Sequence, residues 1–327
     1  MPQFYEQIVD ALEKGESFAL GIISGIKGSS PQKKGAKALF FADGRIVGTL
    51  GGGCLEAEIQ DRARRALRTG IPATFDLVLD HDFGWDDGLI CGGKVCGVIL
   101  PRAAEAANIW RELVRREITR AWGVHKDFSI RWVNDEDAWH YVEKVSPPCA
   151  LWIAGSGHVA QAVVPMALQL DFDVTVFDDR PALANRQVFP ERTRFRVGAW
   201  EELLRDDPPS KPTFGLVVTR GHQRDALVLA RWIQLPFAFL GMIGSRRKAR
   251  LIFKQFIEEK IATEDQISKV ACPVGVDIDS KTVPEIAVSI LAQYIQKRAE
   301  TMHSQDGKSR HSQDVSQPIG IVLQPAP

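Results

Sequence analysis

The sequence has no excess of charge of either sign: 41 lysines and arginines stand against 41 aspartates and glutamates in 327 residues. That balance leaves no global field to attract nucleic acid or an anionic membrane. No apolar run reaches the ~20 residues needed to span a bilayer. The opening Met1-Pro2-Gln3-Phe4-Tyr5-Glu6 has neither the basic nor the apolar region of a secretion signal. Cysteine is scarce, with 5 residues at irregular spacing. An odd, irregular set argues against a disulfide framework and for a reducing, cytoplasmic setting. Cys91 and Cys96 have no second Cys/His pair at zinc-finger distance, which argues against a structural zinc. Also missing are a G-x-S-x-G elbow, a G-x-x-x-x-G-K-[ST] loop, an H-E-x-x-H helix and an EF-hand loop. Their absence removes the corresponding hydrolase, nucleotide-triphosphate, zincin and calcium readings.

What is present is a strand, a glycine turn, a helix, a second strand and an acid. The apolar run Ala150-Leu151-Trp152-Ile153-Ala154 precedes Gly155-Ser156-Gly157-His158-Val159-Ala160, and Val174-Thr175-Val176-Phe177-Asp178 follows about twenty residues later. This is the G-x-G-x-x-G/A arrangement of a Rossmann unit. Gly155 suits the tight turn, Gly157 a close approach to a diphosphate, and Ala160 close helix–sheet packing. Asp178 stands where an acid takes ribose hydroxyls, and Arg180 where an arginine meets a 2′-phosphate. Strands at 172–177, 194–197, 215–219 and 237–242 alternate with helices, which predicts a doubly wound parallel sheet. His222, ending the segment Thr219-Arg220-Gly221-His222, and the turn Gly244-Ser245-Arg246 fall at strand ends where such sheets place ligands. His158 is an unusual residue for a diphosphate turn, either a donor or a titrating group.

The first half reads as α+β. A helix is expected over 3–14, a strand at 18–23, and a hairpin at 37–48 turning on Asp43-Gly44. A helix is expected over 54–69, strands at 74–79 and 94–100, a helix over 103–121, and a final strand pair at 128–133 and 139–144. Ser146-Pro147-Pro148 interrupts both strand and helix, placing a domain boundary there. The expected domains are 1–146 and 149–300, with a polar tail over 301–327. That tail repeats His-Ser-Gln-Asp at 303 and 311 and lacks the apolar surface to fold. Thr282-Val283-Pro284-Glu285 carries a capping-box pattern for the last helix.

Two segments of the first half join glycines to a cysteine. Gly51-Gly52-Gly53-Cys54-Leu55-Glu56 frees successive backbone N–H groups to converge on an anion, and places a thiol in the first turn of a helix. Such a position favours the thiolate. Cys91-Gly92-Gly93 is the second segment. If the two loops face each other, Cys54 and Cys91 line one cleft suited to a phosphorylated, sulfur-bearing or metal-containing ligand. Gly28-Ser29-Ser30-Pro31, with Lys33 and Lys34, reads equally as a phosphate site or a solvated loop.

Taken in order, these segments resemble the XdhC/CoxI family of xanthine dehydrogenase accessory proteins. The resemblance runs from Gly28-Ser29-Ser30-Pro31 through Pro284-Glu285-Ile286-Ala287, and leaves out residues after 301. It implies an assembly factor without turnover of its own. Such a factor binds the molybdenum cofactor, molybdopterin, shelters it while a cysteine desulfurase supports sulfuration, and hands it to a xanthine dehydrogenase-type molybdenum hydroxylase. On this reading Gly51, Gly52 and Gly53 cradle the phosphate, with Glu56, Gly92 and Gly93 alongside, and Cys54 and Cys91 stand near the molybdenum. Two other readings remain open at this point. One is an NAD(P)-dependent oxidoreductase using the Rossmann crevice; the other is a sulfurtransferase carrying a persulfide on Cys54 or Cys91. An apolar edge strand in either domain would allow a homodimer.

Overall fold

Six consecutive buried residues open β1 (Phe18–Lys27), an apolar run typical of a strand covered on both faces. In the computed structural model, which describes residues 2–78, 93–134, 138–205, 208–209 and 211–305, the chain divides into two compact units, Met1–Pro147 and Pro148–Pro327. In the first unit β1 pairs antiparallel with β2 (Lys37–Phe41) and β5 (Lys94–Leu100). With β3 (Ile46–Gly48) and β4 (Ala73–Val78) the sheet order is β3-β2-β1-β5-β4. The β2–β3 hairpin turns on Asp43-Gly44, where Arg45 N–H donates to Asp43 Oδ1 at 2.9 Å and Gly44 takes φ 91°.

Helix α1 (Pro2–Glu13) and helix α2 (Gly53–Thr69) cover opposite faces of this sheet. Leu55, Ile59, Ala63 and Ala66 of α2 pack with Phe40, Leu50, Phe75 and Ile99. Tyr5 and Ile8 of α1 pack with Leu20, Leu39, Trp110 and Trp122. The stretch 103–121 is not one helix. A 3₁₀ turn (Ala103–Ala106) leads into α3 (Ala107–Arg115), and Arg116 ends it in the left-handed region with its N–H donating to Glu112 O. The chain then enters β6 (Arg120–His125), because a strand buries both Trp122 and Val124 completely in the core. The expected final strand pair is also different. β7 (Ile130–Trp132) and β8 (Trp139–Val145) flank β6 and do not pair with each other.

The second unit holds β9 (Cys149–Ala154), α4 (His158–Gln169), β10 (Phe172–Asp178), β11 (Arg194–Val197), α5 (Trp200–Leu203), β12 (Thr213–Val217) and α6 (His222–Trp232). It continues with β13 (Phe239–Met242), α7 (Arg246–Glu258), α8 (Glu264–Ser268), β14 (Val270–Ala271) and α9 (Val283–Gln305). Its strands run parallel in the order β11-β10-β9-β12-β13-β14, the doubly wound topology, with the switch point between β9 and β12. Buried Val163 and Val164 of α4 and Ile290 and Tyr294 of α9 cover one face. Val228 and Trp232 of α6 and Phe256 of α7 cover the other. The capping box forms at α9: Lys281 and Thr282 N–H donate to Glu285 Oε2 at 2.7 and 2.8 Å. This helix runs to Gln305, so residues 301–305 are helical where a disordered tail was expected; the rest of that tail lies outside the described residues. Among the described residues no helix is long and apolar enough to cross a membrane.

Candidate functional site

In the first unit the chain leaves β3 and reaches α2 through Gly51, Gly52 and Gly53, with φ of 132°, 73° and 57°. Three successive positive values are conformations only glycine adopts at low cost. The amides do not all remain open. Gly51 N–H donates to Thr49 Oγ1 at 3.1 Å, and Gly52 N–H donates to Glu56 Oε2 at 2.8 Å. Thr49 Oγ1 also donates to Glu56 Oε2, at 2.9 Å. The Glu56 carboxylate thus occupies the anion position at the head of α2, where the helix dipole favours it. The expectation of a three-glycine phosphate cradle is corrected on this point. Gly51 and Gly52 hold their own chain, and the donors left in the first turn are those of Gly53, Cys54 and buried Leu55. A Cβ added at Gly52 or Gly53 would meet open space, and Cys54 is half-buried beside them.

Gly93, the described residue of the second glycine segment, reaches the same neighbourhood. A Cβ at Gly93 would fall 1.8 Å from Ser29 O, and one at Gly51 would fall 2.8 Å from Pro31 Cγ. The turn at 28–31 therefore touches both glycine segments, with exposed Lys33 and Lys34 following it. Cys91 and Gly92 lie outside the described residues. Cys96 stays in β5, half-buried, with its Sγ 3.9 Å from Ser24 Oγ. Among the described residues no three His, Cys, Asp or Glu side chains gather closely enough to hold a metal ion.

In the second unit Gly155 fills its expected role. It takes φ 112°, donates to Phe177 O at 2.8 Å, and a Cβ there would fall 2.4 Å from Val218 O. Ala160 is fully buried against the sheet. Gly157 has an ordinary φ of −72° and open space around it, and His158 is exposed at the start of α4. Asp178 is only 1% exposed. Its Oδ2 accepts from Ser156 N–H and Ser156 Oγ, both at 2.7 Å, and from Arg180 Nη2 at 2.8 Å. Its Oδ1 accepts from Arg180 N–H at 2.9 Å and Arg180 Nε at 2.8 Å. Burial alone would raise this carboxyl; the Arg180 guanidinium and the Ser156 donors outweigh it and hold the group at about 2.

Two family descriptions match the chain: the XdhC Rossmann domain over residues 151–294, and the XdhC and CoxI family over residues 11–78. The chain belongs to the XdhC and CoxI family. It is 30% identical over 288 residues to the uncharacterized protein YqeB of Escherichia coli K12, covering 87% of this chain but 44% of that longer relative. It is 23% identical to a probable xanthine dehydrogenase subunit of Bacillus subtilis 168, over 91% of this chain and 98% of that one. It is also 23% identical to the molybdenum cofactor insertion chaperone PaoD of E. coli K12, over 87% and 85%. A solved structure described as a xanthine dehydrogenase from Bacillus halodurans has the same fold, with a TM-score of 0.75 at 24% identity over 90% of this chain and 96% of that one.

In this XdhC-family chain the ends of β12 and β13 carry a second set of contacts that sequence reasoning missed. Asp225, 1% exposed, accepts from Thr219 N–H at 3.0 Å and Thr219 Oγ1 at 2.6 Å, and pairs with Lys248 Nζ. Lys248 Nζ also donates to Ile243 O at 3.2 Å. Ser245 caps α7 by accepting from Lys248 N–H at 3.2 Å, while Arg246 is exposed in the first turn. Gly244, with φ 159°, lies against the Lys248 stem. His222 begins α6, exposed, behind Gly221 at φ 90°. Arg224 Nη2 reaches Asp179 Oδ2 at 3.1 Å. Burial pushes the Cys272 thiol up to about 11, with Lys248 lowering it and Asp225 raising it. A further miss is Lys37, a buried cation in the first unit. Cavities of about 740, 590 and 460 Å³ lie elsewhere, and neither Cys54 nor the turns at 51–53 and 155–158 line any of the three.

Proposed function

We propose that this protein binds the molybdenum cofactor as cargo and delivers it to a xanthine dehydrogenase-type molybdenum hydroxylase in the cytoplasm, with a cysteine desulfurase supporting sulfuration. Membership of the family and the likeness to a molybdenum cofactor insertion chaperone support the cargo. The likeness to a probable xanthine dehydrogenase component supports the recipient.

The observation that carries the site is the open first turn of α2. Gly53 has open space around it and Cys54 follows it with a half-buried thiol, beside the turn at 28–31 that Gly51 and Gly93 both touch. Molybdopterin brings a phosphate and a sulfur-ligated metal. These residues fit its two ends in kind: helix-terminal N–H groups and exposed Lys33 and Lys34 for the phosphate, a thiol for the soft end. Glu56 keeps the turn folded and limits the anion to the Gly53–Cys54 side. Cys91, two residues before Gly93 in the sequence, is the second soft group of this reading.

The test is retention. The purified protein is incubated with molybdopterin, passed through gel filtration, and read by absorbance and molybdenum content. Retention by the wild type, weakened in Cys54→Ala, is expected. A wild type that carries no cofactor through the column removes the cargo; unchanged retention in Cys54→Ala and Cys91→Ala removes the thiol roles.

A further inference from the structure

A Rossmann sheet implies a nicotinamide dinucleotide, and the residues at the head of this one do not fit it. The acid at the end of the second strand normally accepts the adenosine ribose hydroxyls. Here five donors from Ser156 and Arg180 already converge on the two oxygens of Asp178. A carboxylate has about four lone-pair sites. None faces an incoming ribose, and the residue is 1% exposed.

The crevice is also crossed by the chain's own charges. Asp179 follows β10 and Arg224 stands in α6 after β12, and these two strands flank β9. Their 3.1 Å ion pair therefore links the end of β10 to the start of α6, past the head of β9 and the adjoining β9–β12 switch point where a diphosphate would lie. Farther along, Asp225 is taken by Thr219 and Lys248. Asp178 and Asp179 at the end of β10 and Asp225 in α6 thus each pair with a base, Arg180, Arg224 and Lys248.

We infer that the Rossmann crevice of this chain is closed to NAD(H) and NADP(H), and that Asp178 works with Ser156 and Arg180 as a strut fixing the glycine turn. This stands apart from cofactor retention by the first unit.

The experiment titrates the full chain with NADH and with NADPH, reading energy transfer from tryptophan to the reduced nicotinamide, and compares the thermal midpoints of wild type and Asp178→Asn. No saturation up to about 1 mM dinucleotide is expected for the wild type. A lowered midpoint is expected for Asp178→Asn. Saturable binding of either dinucleotide to the wild type overturns the exclusion. A variant that melts with the wild type overturns the strut. If Asp178→Asn does not fold, Arg180→Lys keeps the charge without the forked geometry and is expected to melt below the wild type; an unchanged midpoint there has the same overturning force.

Discussion

Lys37 Nζ meets the Glu143 carboxylate at 2.5 Å inside the first unit, tying β2 of the five-stranded sheet to β8 of the three-stranded one. The ammonium also donates to Gly35 O at 2.9 Å and lies 5.5 to 5.9 Å from the rings of Tyr5, Trp122 and Tyr141. Burial lowers the lysine's pKa and Glu143 opposes that shift. Removing one partner leaves the other charge buried and alone. Lys37→Met or Glu143→Leu is expected to lose about 3 kcal/mol or more in urea unfolding, while Lys37→Met with Glu143→Leu recovers most of it. Two singles whose losses simply add in the double would remove the coupling.

Asp178 predicts an acid limb. Its carboxyl sits at about 2 in the folded chain and near the ordinary aspartate value when unfolded. The folded state therefore binds fewer protons in that interval. The stabilisation is full above about pH 4 and is lost as pH falls through about 2, amounting to roughly 2 kcal/mol at neutral pH. Asp178→Asn should flatten stability against pH in that window, checked by denaturant midpoints between about pH 2 and 5.

The Rossmann glycine turn was legible because its signals are local. Gly155, Ala160 and the box at Thr282 and Glu285 each act within a few residues, as does the Asp43-Gly44 hairpin. What the sequence could not convey is pairing at a distance. Ser156 and Asp178 stand 22 residues apart, and Lys37 and Tyr141 stand 104 apart. For the same reason Asp178 reads as a ribose acceptor until Arg180 is seen folded back on it. The 103–121 stretch was misread because the helix was carried past Arg116; α3 ends there in the left-handed region, and the strand that follows is fixed by its pairing with β7 and β8.

The two glycines of that turn should separate under substitution. Gly155→Ala places a Cβ 2.4 Å from Val218 O at a φ of 112°, so either the turn or the end of β12 must move. A loss of several kcal/mol is expected. Gly157 has φ −72° and open surroundings at the head of α4. Gly157→Ser should match or exceed the wild type, since serine is a favoured N-cap. Thermal midpoints of the two variants check the order; equal losses would contradict it.

Cysteine labelling should follow the local environments. Burial holds Cys272 at about 11, so at pH 8 about one molecule in a thousand carries its thiolate. Buried Cys149 is also pushed up, by burial first. Cys54 is half-buried and adjoins Gly52 and Gly53, where a Cβ would meet open space. Alkylation at pH 8, mapped by peptide mass, should modify Cys54 at least about tenfold faster than Cys272. Comparable rates would remove the accessible thiol on which the cargo site depends.

Glu56 gives the sharpest test of where an anion sits. Its carboxylate holds Gly52 N–H and Thr49 Oγ1, so in the folded chain it competes with any phosphate for the head of α2. Two effects follow from Glu56→Ala. The helix loses an acid at its first turn, costing about 0.5–1 kcal/mol of stability. The Gly52 amide is released, and a negative charge leaves the place where a phosphate would sit. Retention of molybdopterin should therefore rise although the protein becomes slightly less stable, and inorganic phosphate should protect the variant against heat more than it protects the wild type. A variant that loses stability and cofactor together would mean that Glu56 shapes the site instead of filling it, and the anion position would then have to be sought on the side of Ser29 and Lys33.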